Sequence, residues 1–276
     1  MKLKANKGRI NGKKVFYLDS GGRKPAMILL HGFPGNHFGL TALAEHLGDG
    51  YRLIIPDLPA CGASDPLDGK HNLKNYSDWL NSFLESLSIK EAIIIGHSFG
   101  SRIALVFANY HGDKIKKLIL ITPVLKVDGL FNRVLSIYYG ITGMLPEYLQ
   151  KMMLSNGFGK TMGDKIIFKS SDLRAQEAII KRDIKEIKKI KPRISIEIFD
   201  EFYKFSLIPV SKLIKNDSLV IAGGADRISP LGPIQELVSQ LPSAKLEIME
   251  NCGHLLPLEE PKATAAIIEK WLNGAL

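Results

Sequence analysis

The chain has 276 residues, 45% of them hydrophobic, and a formal net charge of +9 at pH 7. This length and apolar content are enough for one large α/β unit or two small domains with a sizeable core. No uninterrupted apolar run approaches the length that spans a bilayer, so no membrane-spanning helix is expected. The basic N-terminus is followed by no apolar stretch, so a secretory signal peptide is not expected.

The cysteine content indicates a reducing compartment. The chain has two cysteines, Cys61 and Cys252, and so few are typical of reduced thiols in a cytoplasmic protein. Neither cysteine has companion residues at the spacing of metal ligands. We therefore expect a cytoplasmic protein with no metal ion and no cofactor.

Short apolar strands alternate with helical segments along the chain. Two strands are predicted to meet in a hairpin at Asn11-Gly12, a strong two-residue turn signal. The further predicted elements are, in order, a strand at 27–30, a helix at 40–47, a strand at 52–55, a helix at 76–87, a strand at 92–95, a helix at 103–108, a strand at 118–121, a strand at 219–222, a helix at 234–241, a strand at 245–249 and a helix at 267–272. This alternation predicts an α/β fold, with a mostly parallel, doubly wound sheet covered on both faces and an antiparallel edge.

The sequence G-H-S-F-G at residues 96–100 is the most informative feature of the chain. It follows the strand at 92–95 and precedes a helix, and this context is typical of a nucleophile elbow. Ser98 on such a turn would be held out where a base and a substrate carbonyl can both reach its hydroxyl oxygen. The alternative is a glycine-rich turn whose serine merely caps the helix.

Two further strand ends supply the partners that a nucleophilic serine needs. Asp226 comes just after the predicted strand 219–222, on the edge where open α/β sheets place their sites. His254 follows the predicted strand 245–249 and a short turn. We predict that His254 takes the Ser98 proton and that Asp226 holds the other nitrogen of His254 in the required tautomer.

Together these motifs resemble the α/β-hydrolase family, in particular its cap-bearing esterases with a serine nucleophile. G-H-S-F-G at 96–100, G-A-D-R at 224–227 and G-H-L-L-P-L-E-E-P at 253–261 stand where that family keeps its nucleophile, acid and base. In some relatives the acid follows the preceding strand, which makes Asp128 the rival. The strand at 118–121 ends here without a carboxylate at its tip, so Asp226 is preferred.

Two loops extend the resemblance over nearly the whole chain. H-G-F-P-G at 31–35 is similar to the family's H-G-x-P loop, and the sequence at 57–65 is similar to a further family loop, with Cys61 where glycine is common. By this match, the backbone N–H groups of Phe33 and Phe99 would form the oxyanion hole.

The seven histidines fall into three groups. His254 is the predicted base. His31 and His97 belong to motifs, and we interpret them as residues that brace their loops through hydrogen bonds. The remaining four are interpreted as solvated side chains; they are His37, His46, His71 and His111.

Residues 124–208 break the alternation of strands and helices. This segment offers no clear strand and is predicted to form several helices joined at glycines. In the family that the chain resembles, a helical cap is inserted over the active site at this point. The predicted domains are therefore a core of residues 1–123 and 209–276 and a helical cap, or lid, of residues 124–208.

The predicted cap is rich in bulky apolar side chains. Tyr138, Tyr139 and Met152 are our candidates for lining an apolar substrate pocket. The alternative is that these side chains form the cap's own core. The segment also contains seven basic and two acidic residues at 181–193, predicted as a basic amphipathic helix with Lys191 on its apolar stripe. We interpret its charges as a solvated face; attraction to anionic surfaces or substrates is the alternative.

The combined motifs predict a serine hydrolase that cleaves a carboxylic ester or related acyl bond of a small, largely apolar substrate through an acyl-enzyme intermediate. The same triad serves lactone, amide and carbon–carbon-bond hydrolysis and cofactor-free perhydrolysis, so these activities stay open. A receptor-like α/β-hydrolase that binds a ligand with slow turnover is an alternative from another class. We expect a small-molecule substrate, no nucleic acid, no stable membrane insertion, and a monomer or homodimer.

Overall fold

The computed structural model describes residues 2–125, 137–138, 141–155, 185–186, 189–204 and 206–276. Its strands are β1 (Lys4–Ile10), β2 (Lys13–Asp19), β3 (Ala26–Leu30), β4 (Arg52–Pro56), β5 (Ala92–His97), β6 (Ile115–Ile121), β7 (Ser218–Gly223) and β8 (Ala244–Met249). Its helices are α1 (Phe38–His46), α2 (Leu73–Ser86), α3 (Phe99–His111), α4 (Glu147–Ser155), α5 (Pro192–Lys204), α6 (Ile208–Ser211), α7 (Leu231–Gln240), α8 (Leu256–Glu259) and α9 (Pro261–Leu272), with a 3-10 turn at Gly112–Lys114. Every strand and helix predicted for residues 1–123 and 209–276 is present, with shifted ends.

The strands form one sheet in the order β1-β2-β4-β3-β5-β6-β7-β8. The pairs β1–β2 and β2–β4 are antiparallel, and all the pairs from β4 to β8 are parallel. Asn11 and Gly12 both have positive φ angles, 48° and 79°, as the predicted hairpin turn requires. The predicted doubly wound sheet with an antiparallel edge is confirmed.

Helices cover both faces of the sheet because its strands bury alternate side chains on opposite sides. Ile28 and Leu30 of β3 pack into one apolar cluster with residues of α2, α3 and α7. Met27 and Leu29 pack into a second cluster with residues of α1, α8 and α9. Because β3, β5, β6, β7 and β8 run parallel, their carboxyl ends lie at one edge of the sheet, where the loops that follow them converge.

The inserted segment, residues 124–208, lies between the neighbouring strands β6 and β7. Its described part contains α4, α5 and helical residues at 141–144, and no strand. Ile194 and Ile198 of α5 are buried in the same cluster as α2 and α3. Helix α5 therefore packs directly onto the core.

The predicted basic helix at 181–193 is described only in part, and one of its features is wrong. Residues 189–191 lie outside helix, and α5 begins at Pro192. Proline lacks a backbone N–H and disfavours a helical residue before it, so Lys191 cannot continue the stripe. Lys189 pairs with Glu186 at 2.6 Å, and Arg193 pairs with Glu197 at 2.8 Å.

Within the ranges described above, each helix is too short or too polar to cross a membrane.

Candidate active site

Ser98 lies on the sharp turn between β5 and α3. Its φ of 54° and ψ of −112° are rare for a residue with a side chain. Glycine flanks it because a Cβ atom at Gly96 would overlap the backbone of Gly100, and one at Gly100 would overlap the carbonyl oxygen of Leu30. The strand, sharp turn and helix predicted from G-H-S-F-G are present.

The structure brings Ser98, His254 and Asp226 into one hydrogen-bonded row. The Nε2 atom of His254 lies 2.9 Å from the Ser98 hydroxyl oxygen. The Nδ1 atom of His254 lies 2.8 Å from Oδ2 of Asp226. A carboxylate can only accept here, so Nδ1 carries the hydrogen and Nε2 is left to accept from the serine hydroxyl. All three residues are buried.

Backbone donors fix the orientation of the Asp226 carboxylate. Its Oδ1 atom accepts hydrogen bonds from the backbone N–H groups of Ile228 and Ser229, at 2.8 and 2.9 Å. The other oxygen is thereby directed at His254. The rival acid, Asp128, lies outside the described residues.

The backbone of His254 is held by two side chains from the neighbouring strand ends. Its carbonyl oxygen accepts hydrogen bonds from Nε2 of His97 and Oγ1 of Thr122, both at 3.0 Å. Burial, together with the nearby His254 ring, lowers the pKa of His97 to about 3. His97 is therefore neutral at physiological pH, and it braces the His254 loop as a hydrogen-bond donor.

His31 braces the loop that carries Phe33. Its Nε2 atom accepts from the backbone N–H of Leu58 at 3.0 Å, so Nδ1 carries the hydrogen and donates to the carbonyl oxygen of Gly32 at 2.8 Å. A Cβ atom at Gly32 would lie 3.1 Å from Cβ of Ser98. The loop therefore passes directly beside Ser98, and Phe99 follows Ser98 as the first residue of α3.

Aromatic rings from α5 lie against both candidate oxyanion-hole residues. The Phe199 ring contacts the Phe33 ring at a centroid distance of 5.6 Å. The Phe202 ring contacts the Phe99 ring at 5.4 Å. Sequence reasoning missed both of these α5 residues. The signal was present, since Pro192 is typical of a first helical turn and apolar residues recur after it at helical spacing.

The three candidate pocket residues from the inserted segment are described only in part. The Tyr138 hydroxyl donates to the carbonyl oxygen of Met153 at 2.8 Å. Met152 is 50% exposed, and Tyr139 lies outside the described residues. Their role in a pocket stays a prediction. Met152 is one of several apolar side chains of this segment that are half exposed or more; the others are Ile137, Ile141, Met144 and Tyr148.

Two of the histidines interpreted as solvated are buried, and that interpretation is wrong for them. His37 donates through its backbone and Nδ1 to Asp57, which also accepts from the N–H of Ala63. Burial alone would raise the pKa of Asp57, but these hydrogen bonds lower it. His71 lies 2.9 Å from the Tyr76 hydroxyl through Nδ1. The His37–Asp57 contact joins two loops that are 20 residues apart, whereas the His71 ring bonds to a residue of the nearby α2.

Within the described part of the chain, no three His, Cys, Asp or Glu side chains are gathered as they would be around a metal ion. Cys61 and Cys252 are buried free thiols.

The comparisons with known proteins agree with this architecture. The sequence profile of the α/β hydrolase fold family matches residues 25–261. The chain is 26% identical over 259 residues to the 2-hydroxymuconate semialdehyde hydrolase of Pseudomonas putida, which covers 93% of this chain and 90% of that protein. It is 27% identical over 258 residues to the 2-hydroxy-6-oxo-6-phenylhexa-2,4-dienoate hydrolase of Burkholderia cepacia, which covers 90% and 87%.

A solved structure shows a similar arrangement of the whole chain. The enol-lactonase from Burkholderia xenovorans LB400 superposes with a TM-score of 0.82 over 97% of this chain and 100% of that one, at 15% identity. At this identity the likeness is one of fold.

Proposed function

Because this chain belongs to the α/β hydrolase fold family, we propose that it is a serine hydrolase that cleaves a carboxylic ester or related acyl bond of a small, largely apolar substrate. The observation that carries the proposal is the row of hydrogen bonds from Ser98 through His254 to Asp226, at 2.9 and 2.8 Å. A neutral imidazole aimed at a serine hydroxyl, with its other nitrogen held by a carboxylate, is the arrangement that activates a serine nucleophile.

In the first half of the reaction, Ser98 Oγ attacks the carbonyl carbon while its proton passes to Nε2 of His254. The imidazolium is stabilised by Asp226, which stays ionised. The tetrahedral intermediate collapses as His254 protonates the departing alcohol oxygen. An acyl group then remains on Ser98. In the second half, His254 takes a proton from a water molecule as its oxygen attacks the acyl carbon. The second tetrahedral intermediate then loses Ser98 Oγ, His254 returns the proton to that oxygen, and the carboxylic acid leaves.

The oxyanion of each tetrahedral intermediate would be bound by the backbone N–H groups of Phe33 and Phe99. Two positions support this assignment: the loop at Gly32 passes beside Ser98, and Phe99 opens the N-terminal turn of α3. N–H groups of a first helical turn have no partner within the helix, so they can donate to a bound oxygen. An oxyanion-hole donor contributes about 3–4 kcal/mol to transition-state stabilisation in comparable enzymes.

The inserted segment would act as a helical cap that closes an apolar pocket over this edge of the sheet. The half-buried rings of Phe33 and Phe199 supply an apolar wall near Ser98. Tyr138, Tyr139 and Met152 are the further candidates. A wall of this kind favours a substrate with an apolar acyl chain or ring over a strongly charged one.

A second candidate substrate comes from the names of the relatives. The Pseudomonas putida and Burkholderia cepacia proteins are named as hydrolases of 2-hydroxymuconate semialdehyde and of a 2-hydroxy-6-oxo-dienoate. The same residues could cleave an unsaturated oxo acid of this type. The carbonyl carbon would then lose a carbon leaving group in place of an alcohol.

The proposal includes the setting of the reaction. We place the enzyme in the cytoplasm because its cysteines are few and remain thiols. It would act on a small molecule as a monomer or homodimer, without nucleic acid.

The test is a substrate panel with p-nitrophenyl esters from acetate to dodecanoate, a lactone, an anilide and a 2-hydroxy-6-oxo-dienoate. We expect steady-state turnover of the esters, with a maximum in kcat/KM at medium chain length. We also expect a fluorophosphonate to label Ser98. Faster turnover of the oxo acid than of any ester would favour the second candidate. A single burst of product without steady turnover would favour a slow, receptor-like protein. Absence of labelling at Ser98 would contradict the ester hydrolase, the oxo-acid hydrolase and the receptor-like protein alike.

A further inference from the structure

Helix α5 is fixed to the core by two carboxylates that lie one helical turn apart. The Glu197 carboxylate accepts from the backbone N–H of His71 at 2.8 Å. One turn later, the Glu201 carboxylate accepts from the backbone N–H of Leu73 at 3.1 Å. Leu73 is the first residue of α2, where the helix dipole favours a negative charge. The two glutamates therefore hold α5 against the start of α2.

A buried arginine makes a further contact with α5. Arg102 belongs to α3, one turn after Phe99, and its side chain is fully buried. Its guanidinium donates to the carbonyl oxygens of Glu201 at 2.6 Å and of Val124 at 2.7 Å. It also lies 5.3 Å from the centre of the Phe202 ring. Arg102 thus ties the helix that starts at Ser98 to both ends of the inserted segment.

These anchors leave two α5 rings pressed on the residues beside Ser98. Phe199 meets Phe33 nearly edge to face, at 5.6 Å and 81°. Phe202 meets Phe99 at 5.4 Å, and Phe33 and Phe99 meet each other at 6.2 Å. The Phe33 contacts with Phe199 and Phe99 are edge to face, while the Phe202–Phe99 contact is tilted at 46°. Aromatic contacts of this kind have preferred geometries, so the four packed rings restrict one another's positions.

From this arrangement we propose that Phe199 and Phe202 are positioning residues that hold the backbone of Phe33 and Phe99 in the geometry of the oxyanion hole. The inference rests on the serine-hydrolase function proposed above. An oxyanion donor works only within about 2.7–3.1 Å of the oxygen it binds, so a small displacement of either loop weakens it. Docking of α5 would thereby complete the site, since the rings that fix both donors come from the inserted segment.

The test compares Phe199→Leu and Phe202→Leu with Phe107→Leu. Leucine keeps an apolar side chain in place but removes the ring edge. Phe107 is a matched control because it is fully buried on α3, like Phe99, and its described ring contact is with His111. Thermal unfolding of all three variants reports the structural cost. Phe199→Ala and Phe202→Ala give a second, larger change if the leucine variants are too mild.

Two readouts separate positioning from packing. The first is kcat and KM on p-nitrophenyl butyrate. The second is inhibition by a trifluoromethyl ketone and by the matching secondary alcohol. Ser98 adds to the ketone carbonyl, its proton passes to His254, and the former carbonyl oxygen becomes an oxyanion. The alcohol occupies the same space without forming an oxyanion.

We expect kcat to fall about tenfold or more in the Phe199 and Phe202 variants, while KM changes less than about threefold. Complete loss of a donor costs about 10²–10³ in kcat, and a displaced donor should cost less. The inhibition constant of the ketone should rise by the same factor as kcat falls, while that of the alcohol should change little. Phe107→Leu should lose stability but keep its kcat.

Parallel changes in the two inhibition constants would overturn the proposal, because the rings would then merely line the pocket. Equal losses of kcat in all three variants would overturn it too, because the effect would be one of general packing. A parent protein that is not labelled at Ser98 would instead overturn the proposed function, and this inference with it.

Discussion

The Nε2 atom of His97 lies 3.0 Å from the backbone carbonyl oxygen of His254, although His97 ends β5 and His254 follows β8. His97 also precedes Ser98, so one side chain links the turn that carries the serine to the loop that carries its hydrogen-bond partner. Thr122 donates to the same carbonyl oxygen from a third loop. The distance between Ser98 and His254 is therefore set by a buried hydrogen-bond network.

The first prediction concerns this brace. His97→Leu should lower kcat about tenfold with little change in KM, because the His254 loop loses one of its two side-chain donors. His97→Asn keeps an N–H donor of similar reach and should recover most of the loss. The check is steady-state kinetics on a p-nitrophenyl ester. Equal activity of the parent and the leucine variant would show that Thr122 alone holds the loop.

The second prediction concerns the row of hydrogen bonds. Ser98→Ala and His254→Ala should each remove nearly all turnover while thermal unfolding is unchanged within a few degrees. Asp226→Asn should lower kcat by about 10⁴, because an amide can stabilise the wrong tautomer of His254. The measurement is turnover under saturating ester. Near-normal turnover of Asp226→Asn, with strong loss in Asp128→Asn, would mean that Asp128 is the acid.

The third prediction concerns stability. Burial lowers the pKa of Arg102 to about 10, so its guanidinium is charged at neutral pH. Arg102→Met leaves buried carbonyl oxygens of Val124 and Glu201 without this donor, and should cost about 3–5 kcal/mol of unfolding free energy. Urea denaturation measures this. Arg23→Met is the control, since Arg23 is exposed and should change stability by less than about 0.5 kcal/mol. A loss below 1 kcal/mol for Arg102→Met would contradict the prediction.

The fourth prediction concerns the dependence of stability on pH. Burial lowers the pKa of His71 to about 4, while Glu197 opposes and Arg193 supports this shift. Above the unfolded value of about 6.5 both states are neutral, and the full stability is present. As the pH falls below about 6.5, His71 binds a proton in the unfolded chain but stays neutral in the folded chain. Stability is therefore lost down to about pH 4, at up to about 1.4 kcal/mol per pH unit for this residue.

His71→Gln should flatten this loss between pH 6.5 and 4.5, as measured by urea denaturation across that range. The exposed His46 offers a matched control, because His46→Gln should leave the slope as it is in the parent. A parental slope in His71→Gln would show that other groups, with His97 the foremost, carry the dependence.

Features that depend on neighbouring residues could be predicted from the sequence. The hairpin at Asn11-Gly12 and the turn at Ser98 each need glycine at particular positions within a few residues, so their patterns identify them. The loops after β7 and β8 could be placed as well, because parallel strands present their carboxyl ends at one edge.

Contacts between distant segments could not be predicted in this way. His37 stands among polar residues in the sequence, yet it is buried against Asp57 of another loop. His71 is likewise buried, and its backbone N–H donates to Glu197 of α5. Phe199 contacts Phe33 only because α5 packs against α2 and α3. The hydrophobic periodicity of a helix does not indicate which loop of the core that helix will contact. The end of the basic stripe at Pro192 is different, since the rule that proline interrupts a helix was available.

The adjacency of β6 and β7 has a consequence for folding. Their parallel pairing joins residues 118–121 to 218–221, so the sheet is completed only after a very long loop has closed. Contacts of such high sequence separation form slowly, and the edge of β6 stays open to other chains in the meantime. During synthesis Ser98 emerges well before Asp226 and His254. Chaperone capture or aggregation is therefore a greater hazard for the incomplete chain than for the finished one.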